Sequence, residues 1–173
     1  MISLEALLES RDRRAACQQQ LLQEWPASSL ICLTVQPPGP VKRSADSLIV
    51  GGAALAALLG KFGSVLQHVQ VRDLETGYEA YLVVPLPELL VKRICCGIED
   101  THPLGRLMDI DVLPGPLDRE SVGLPPRRCL LCDNEVRYCM RARTHTTEEL
   151  LAQFTRMVRT FSDNIVQNDD NII

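Results

Sequence analysis

The stretch His102-Pro-Leu-Gly-Arg-Leu-Met-Asp-Ile-Asp-Val-Leu113 is the most informative part of the sequence, because a glycine turn leads directly into an alternating segment. From Met108 to Leu113, acidic and apolar residues alternate, which is typical of a strand with one face in the core. Side chains two residues apart share a face of a strand. Asp109 and Asp111 should therefore project together, while the apolar residues between and after them turn into the core.

Sequence patterns on either side of this strand predict further helices and strands. The expected helices run from a cap at Ser3 to Trp25, from a cap at Ser44 or Asp46 to Phe62, and onward from a capping box of Thr146 and Glu149. Strands are expected at Ser29–Gln36, Val65–Val71 and Tyr78–Val84, the last two as a hairpin, whereas Leu86–Cys96 is ambiguous. The fold class predicted is α+β: one domain over residues 1–173 with a mixed or mostly antiparallel sheet flanked by helices, and a flexible tail at 164–173.

The second helix has an unusual composition. It is apolar nearly all round, which predicts complete burial. Its Gly51-Gly52 pair weakens the helix by roughly 1 kcal/mol per glycine, unless the pair permits close packing.

Composition limits the classes of protein that the chain can belong to. With 173 residues, 46% hydrophobic and 23% charged, it is not disordered, collagen-like or a coiled coil. The net charge of −4 provides no global positive field for nucleic acid. The longest apolar run, Leu48–Leu59, has 12 residues, short of the roughly 18 that a membrane span needs. The N-terminus lacks a signal-peptide pattern, and seven cysteines in a chain with a sufficient core predict free thiols in a reducing cytoplasm.

The paired aspartates are the strongest candidates for chemistry. Two carboxylates on one strand face can bind Mg²⁺, which prefers oxygen ligands and often shares them with substrate phosphates. The alternative is a solvated strand face. Gly105 permits close backbone approach and Arg106 offers a planar fork for phosphate. His102 is either a general base or a structural residue that holds the turn before Pro103.

Basic residues in separate segments are candidates for binding an anionic substrate. Arg11 and Arg14 lie in or beside the apolar stripe of the first helix, where they either bind an anion or reach water and a salt bridge. Lys42 lies in a rigid proline-rich loop that can hold a phosphate or form a plain surface turn. Arg127 and Arg128 begin a patch of five arginines that suits a polyphosphate, an acidic protein or solvent.

Cysteines and a histidine follow those arginines at the spacing C-x₂-C-x₆-C-x₅-H, formed by Cys129, Cys132, Cys139 and His145. A three-cysteine, one-histidine zinc site is chemically feasible. The alternative is structural thiols, with Cys132 and Cys139 on one face of a helix.

Several segments resemble the citrate lyase holo-acyl-carrier-protein synthase family, also called apo-citrate lyase phosphoribosyl-dephospho-CoA transferases. The similarity runs from about Leu7 to the last helix, and the segments that carry it are Ser10–Arg14, Pro38–Lys42, His102–Val112 and Leu124–Cys132. The two longer segments are specific motifs. The Asp-x-Asp strand is also similar, by analogy, to the way in which nucleotidyltransferase folds hold Mg²⁺.

The resemblance implies a nucleotidyltransferase reaction. The donor is 2′-(5″-triphosphoribosyl)-3′-dephospho-CoA, the acceptor is a serine of the acyl carrier subunit of citrate lyase, and pyrophosphate leaves. Asp109 and Asp111 are then the Mg²⁺ ligands, and the basic candidates bind the donor. Because acyl carrier proteins are acidic, Arg137, Arg141 and Arg143 are expected to face the carrier. The alternative function is a non-enzymatic, zinc-stabilised binding module that docks an acidic partner.

Overall fold

The computed structural model describes residues 2–115 and 117–169. Their elements in chain order are α1 (Leu4–Glu24), β1 (Ser29–Val35), α2 (Ala45–Phe62), β2 (His68–Leu74), β3 (Gly77–Val84), α3 (Glu88–Thr101), β4 (Asp109–Leu113), α4 (Val136–Ala142) and α5 (Thr147–Asp169). Three single-turn 3₁₀ helices lie at Gly63–Val65, Gly105–Leu107 and Glu120–Val122. The predicted helices and hairpin are confirmed, but β2 begins at His68 rather than Val65, because Gly63–Val65 forms a 3₁₀ turn. The ambiguous segment is the helix α3.

The four strands form one sheet in the order β2-β3-β1-β4, and every neighbouring pair is antiparallel. This confirms the α+β class and narrows the predicted mixed or mostly antiparallel sheet to an antiparallel one within the described residues. Both central strands, β1 and β3, are buried along their whole length. Within the part of the chain that the structure describes, β4 pairs only with β1, so it is an edge strand.

Helices cover the two faces of the sheet unequally. On one face, α2, α3 and α5 enclose the main core, which contains Leu33 of β1, Leu82 of β3 and Ile110 of β4. On the other face, α1 packs Cys17 and Leu21 against a smaller cluster. Among the described helices, α1 alone contributes to this smaller cluster, and it leaves β4 with side chains exposed on that face.

The helices begin where their capping residues predict. The Ser3 hydroxyl accepts a hydrogen bond from Ala6 N at 3.1 Å, and Ser44 forms a reciprocal capping box with Ser47. Thr146 and Glu149 form the predicted box at the start of α5, with distances of 2.8 and 3.1 Å. Each box satisfies amide groups that a helix start leaves unpaired.

The expectation that α2 is buried on all sides is wrong. Val50, Ala54 and Leu58 face the core, but Leu48 and Leu59 are more than one third exposed. The reason is that α2 lies in an outer layer, so the sheet can cover only one face of it. Contrary to the expectation from the 12-residue apolar run, Ala45–Val65 is long and apolar enough to cross a membrane, with a mean hydropathy of 1.8. That finding is weak evidence, because a core helix has the same length and composition.

The predicted tail overlaps the last helix. Helix α5 continues to Asp169, five residues beyond the expected start of the tail at Asn164. Residues 170–173 of that tail lie outside the described residues, so their flexibility stays a prediction.

The glycine pair of α2 supports a test of packing. We expect Gly51→Ala to lower the free energy of unfolding by about 1–3 kcal/mol, because a Cβ there would lie 2.5 Å from the buried Tyr78 ring. Gly52→Ala is the matched control: nothing lies within 4 Å of its Cβ, so the better helix propensity of alanine should raise that free energy by up to about 1 kcal/mol. Urea unfolding followed by circular dichroism measures both, and equal effects of the two variants would contradict the packing.

Candidate functional site

Asp109 and Asp111 project from β4 on the face that α1 leaves open. Their side chains are 63% and 68% exposed, while Ile110 and Val112 are buried, which confirms the predicted alternation. Asp109 pairs in register with Thr34 of β1, whose hydroxyl donates to its carboxylate at 3.3 Å. The two carboxylates therefore stand side by side on an edge strand, open to solvent.

Two buried charged residues of α3 hold the outer edge of β4. Glu99 Oε1 accepts the Ile110 amide at 3.1 Å, and Lys92 Nζ donates to the Ile110 carbonyl at 3.1 Å. The same Lys92 ammonium lies 3.9 Å from Asp111 Oδ1. Both polar groups of Ile110 that point away from the sheet are thus satisfied by side chains, so the edge cannot pair with another strand.

A cleft of about 400 Å³ opens beside these residues. Six acidic and four basic side chains line it, namely Glu99, Asp109, Asp111, Asp118, Glu120 and Glu135 with Lys92, Arg119, Arg127 and Arg137. Desolvation in the cleft, and then the neighbouring charge of Asp109, raises the pKa of Asp111. The excess of carboxylates makes the cleft a better site for a divalent cation than for a bare anion.

Arg127 and Arg106 brace the loop that precedes β4. Arg127 donates to the carbonyls of Gly105 and Arg106 at 3.1 and 3.2 Å, and also to the carbonyl of Met108. Its Nη1 lies 3.8 Å from Asp109 Oδ1. Arg106 donates in the opposite direction, to the carbonyls of Arg128 and Cys129. Burial lowers the pKa of Arg106, followed by the repulsion from Arg127. Both guanidinium groups are therefore occupied by backbone oxygens next to the carboxylates.

The close approach expected at Gly105 occurs within the protein. A Cβ on Gly105 would overlap the backbone carbonyl of Glu99, at the end of α3. Gly105 therefore lets the turn before β4 pack against the helix that holds the outer edge of that strand.

The other predicted basic residues are distributed more widely. Lys42 donates to the carbonyl of Pro37 at 2.7 Å, and burial lowers its pKa. Arg14 forms a salt bridge with buried Glu79 at 2.8 Å, the alternative that the sequence left open. Arg128 is exposed, 3.4 Å from Asp133, and Arg11 is exposed on α1. Arg106, Asp109 and Arg127 line a second cleft of about 220 Å³, and Arg128 lines another cleft together with Arg106 and Arg127.

His102 lies away from the paired carboxylates. Its Nδ1 accepts the Leu104 amide at 3.0 Å, and its ring packs at 5.5 Å from the Phe161 ring. Burial lowers its pKa, and it is not among the residues that line the Asp109–Asp111 cleft. These contacts favour the structural role over that of a general base.

The cysteines beyond the arginine pair form a compact cluster with His145. One ligand atom from each of Cys129, Cys132, Cys139 and His145 lies within 4.8 Å of the others. The interpretation of Cys132 and Cys139 as neighbours on one helix is wrong, because α4 begins only at Val136 and Cys132 lies in the preceding bends. No disulfide bond joins any of the seven cysteines in the structure.

Sequence reasoning missed Lys92, Glu99 and Arg119. Lys92 and Glu99 are seven residues apart on the buried face of α3, where two charges in an apolar stripe were the available indication. Arg119 pairs with Glu99 at 3.4 Å and with Asp100 at 2.7 Å. It lies in a loop whose pattern indicated no element.

The family model and the named relatives that match this chain indicate the same family. Residues 2–161 match the family model described as apo-citrate lyase phosphoribosyl-dephospho-CoA transferase. A protein of Streptococcus pyogenes serotype M18, named probable apo-citrate lyase phosphoribosyl-dephospho-CoA transferase, is 35% identical, over 98% of this chain and 93% of its own. An Escherichia coli O6:K15:H31 protein named apo-citrate lyase phosphoribosyl-dephospho-CoA transferase is 39% identical, over 87% of this chain and 85% of its own. Haemophilus influenzae protein CitXG is 35% identical over 95% of this chain but only 37% of its own.

The bonding at the outer edge of β4 yields a prediction about stability. We expect Lys92→Met to lower the free energy of unfolding by about 1–3 kcal/mol, because the Ile110 carbonyl loses its donor and buried Glu99 loses a compensating charge. Its exposed neighbour provides the control: Arg93→Met should change that free energy by less than about 0.5 kcal/mol. Denaturant unfolding of the two variants measures the difference, and a Lys92→Met protein as stable as the control would contradict this role.

Proposed function

The chain belongs to the apo-citrate lyase phosphoribosyl-dephospho-CoA transferase family, and we propose that it attaches the prosthetic group to the acyl carrier subunit of citrate lyase. Membership of this family makes it a transferase rather than the non-enzymatic binding module. The serine hydroxyl of the carrier attacks the phosphorus bound to the 5″ oxygen of 2′-(5″-triphosphoribosyl)-3′-dephospho-CoA. A phosphodiester forms, the serine proton is released, and the bond to the departing pyrophosphate breaks.

The observation that carries this proposal is the exposed pair of Asp109 and Asp111. Among the described residues, neither carboxylate has an ion pair closer than 3.8 Å, so their oxygens are available to a metal ion. Their oxygen chemistry and the excess of carboxylates in the cleft suit Mg²⁺. Bound there, Mg²⁺ would neutralise triphosphate charge and stabilise the departing pyrophosphate.

The chain's own cations complete the charge balance. Lys92 and Arg127 lie within 4 Å of the two aspartates, so they add fixed positive charge beside the reacting phosphates. Because phosphoryl transfer needs little covalent participation from the protein, such positioning and charge stabilisation supply most of the rate enhancement.

The remaining expectations are consistent with this role. Seven free cysteines suit a reducing cytoplasm, where we place the reaction. The net charge of −4 gives no reason to add nucleic acid to the partners. We propose no membrane partner, since one face of α2 packs on the sheet.

Mass spectrometry of the carrier subunit tests the transfer and its metal ligands together. We expect wild-type protein with donor and Mg²⁺ to add one phosphoribosyl-dephospho-CoA unit per carrier and release one pyrophosphate. Asp109→Asn and Asp111→Asn should each slow this by about 100-fold or more, with circular dichroism unchanged.

Asp118→Asn is the control for these variants. Asp118 lines the same cleft but accepts two hydrogen bonds from Ser121, at 2.9 and 2.8 Å. We expect this variant to label the carrier at nearly the normal rate. Near-normal labelling by both Asp109→Asn and Asp111→Asn would remove the pair from the mechanism, and no labelling by wild type would overturn the function.

Helix α4 provides a docking surface for an acidic carrier. It exposes Arg137 and Arg141, four residues apart, together with Tyr138 and Met140, which are 61% and 72% exposed. Because Val136 and Arg137 also line the Asp109–Asp111 cleft, a carrier bound to α4 would have its serine close to the carboxylates. Basic and apolar side chains together suit an acidic helical partner.

Charge reversal on α4 tests this docking surface. Arg137→Glu combined with Arg141→Glu should slow carrier modification at low salt by about 10-fold or more and flatten its salt dependence, because encounter with an acidic partner loses its steering. The same charge change on exposed Arg156 and Arg159 of α5 is the control and should have little effect. Stopped-flow or quenched-flow measurements give the rate of carrier modification at several salt concentrations for the α4 double variant and the α5 double variant. Equal rates for the α4 variant and wild type would move the docking surface elsewhere.

A further inference from the structure

We propose that Cys129, Cys132, Cys139 and His145 bind one structural Zn²⁺, and that this ion holds residues 124–146, here called the cysteine segment, against the loop before β4. None of these four residues lines the Asp109–Asp111 cleft. Its test does not depend on the proposed transfer reaction.

The positions of the ligand atoms match a tetrahedral site. Cys132 Sγ lies 3.5 Å from Cys139 Sγ and 3.4 Å from His145 Nε2, and one ligand atom from each of the four residues lies within 4.8 Å of the others. A tetrahedron with Zn–S bonds of 2.3 Å and a Zn–N bond of about 2.05 Å has edges of about 3.8 Å and 3.6 Å. Small adjustments of side chains would therefore suffice to coordinate the ion.

The cysteine segment has little apolar packing of its own. All of its residues are described, and its only buried side chains are those of Cys129 and Cys139. Tyr138 and Met140, its most exposed large apolar residues, do not contribute to a core. A segment whose only fully buried side chains are thiols gains little free energy from apolar packing, and a structural zinc ion supplies folding free energy in such cases.

The backbone of the cysteine segment is arranged around the sulfur atoms. The Cys129 amide donates to the Asn134 carbonyl at 2.7 Å and the Val136 amide donates to the Arg127 carbonyl at 2.8 Å, so the chain folds back between Cys129 and Cys139. After α4, Arg143 adopts a left-handed conformation with φ of 49°, and the Thr144 amide bonds to the Cys139 carbonyl at 3.1 Å. This turn reverses the chain and places His145 next to Cys132.

The chemistry of the ligands favours zinc over the alternatives. Three sulfurs and one imidazole are the donors that Zn²⁺ prefers, whereas Mg²⁺ requires oxygen. A disulfide between Cys132 and Cys139 would leave Cys129 and His145 without a function in the cluster.

The ion would also stabilise the arrangement of arginines beside the aspartates. Arg127 lies two residues before Cys129, and the carbonyl of Cys129 accepts a hydrogen bond from Arg106. One of the hydrogen bonds that join the loop before β4 to residues 127–129 is therefore accepted by a residue that would bind zinc. Loss of the ion should release this bracing and loosen the cysteine segment.

Metal analysis of the purified full chain is the first test. We expect about one Zn²⁺ per chain by mass spectrometry of the element, and replacement by Co²⁺ should give the intense visible absorption of a tetrahedral thiolate site. Cys132→Ser and His145→Gln should each lose more metal affinity than the roughly 10–100-fold lost with an outer-shell partner. Cys17→Ser is the control, since Cys17 lies on α1 and its bond to Gln70 can be kept by a hydroxyl.

Limited trypsin digestion tests the structural role of the ion. Removal of zinc by a chelator should speed cleavage within the cysteine segment, which contains five arginines, by about tenfold or more, and added Zn²⁺ should restore resistance. A chain without bound zinc and without a Co²⁺ spectrum would overturn the proposal. So would a His145→Gln variant with wild-type zinc affinity, or a count of five free thiols in the denatured, unreduced protein.

Discussion

The backbone of Ile110 is where the structure and the candidate site meet. β4 is an edge strand, so the amide and carbonyl of Ile110 point away from the sheet. Glu99 and Lys92, both buried on α3, bind these two groups. This bonding fixes the strand at the margin of the core and prevents further strand addition. It also fixes the residues on either side of Ile110, which are the paired aspartates.

The charges around those aspartates form a connected system. Arg127 lies near Asp109, Lys92 lies near Asp111, and buried Glu99 lies between the helix and the strand. Desolvation raises the pKa of Glu99, opposed first by the positive charge of Arg127. Each buried charge is therefore compensated by neighbours that belong to different segments. The cleft depends on how α3, β4 and the loop at 127–129 pack together, because removal of one charge leaves the others uncompensated.

Much of the fold was readable from local patterns. The alternation around Ile110, the capping boxes and the hairpin are each determined by residues that lie close together in the sequence. These elements were therefore predicted correctly. The burial of α2 was not, because composition cannot show how many faces of an apolar helix have a neighbour. The role of Lys92 was missed for a related reason. A lysine in an apolar stripe indicates an unusual contact, but only the tertiary structure shows that the contact is the backbone of an edge strand.

The candidate site also has one part that the sequence predicted and one part that it did not. The shared face of Asp109 and Asp111 follows from a period of two residues, and sequence reasoning predicted it. Arg106 was expected to bind phosphate, yet its guanidinium donates to backbone carbonyls 22 and 23 residues later in the chain. That pairing depends on the position of the cysteine segment, which a helical interpretation of its spacing described wrongly. The periodicity of one segment cannot predict its contacts with a distant segment of the chain.

The arrangement of charge explains how an acidic chain can serve two anionic substrates under the proposed function. The triphosphate needs positive charge inside the cleft, where Lys92 and Arg127 are held by backbone carbonyls and cannot move away. The acidic carrier needs positive charge on an accessible surface, which Arg137 and Arg141 provide from α4. Because the inner pair is fixed and the outer pair is exposed, donor and carrier need not compete for the same cations. The cysteine segment contains Arg127 as well as α4, so its conformation sets the distance between the two groups. The ordering of this one segment therefore determines whether the carrier serine can reach the phosphate that the inner residues hold.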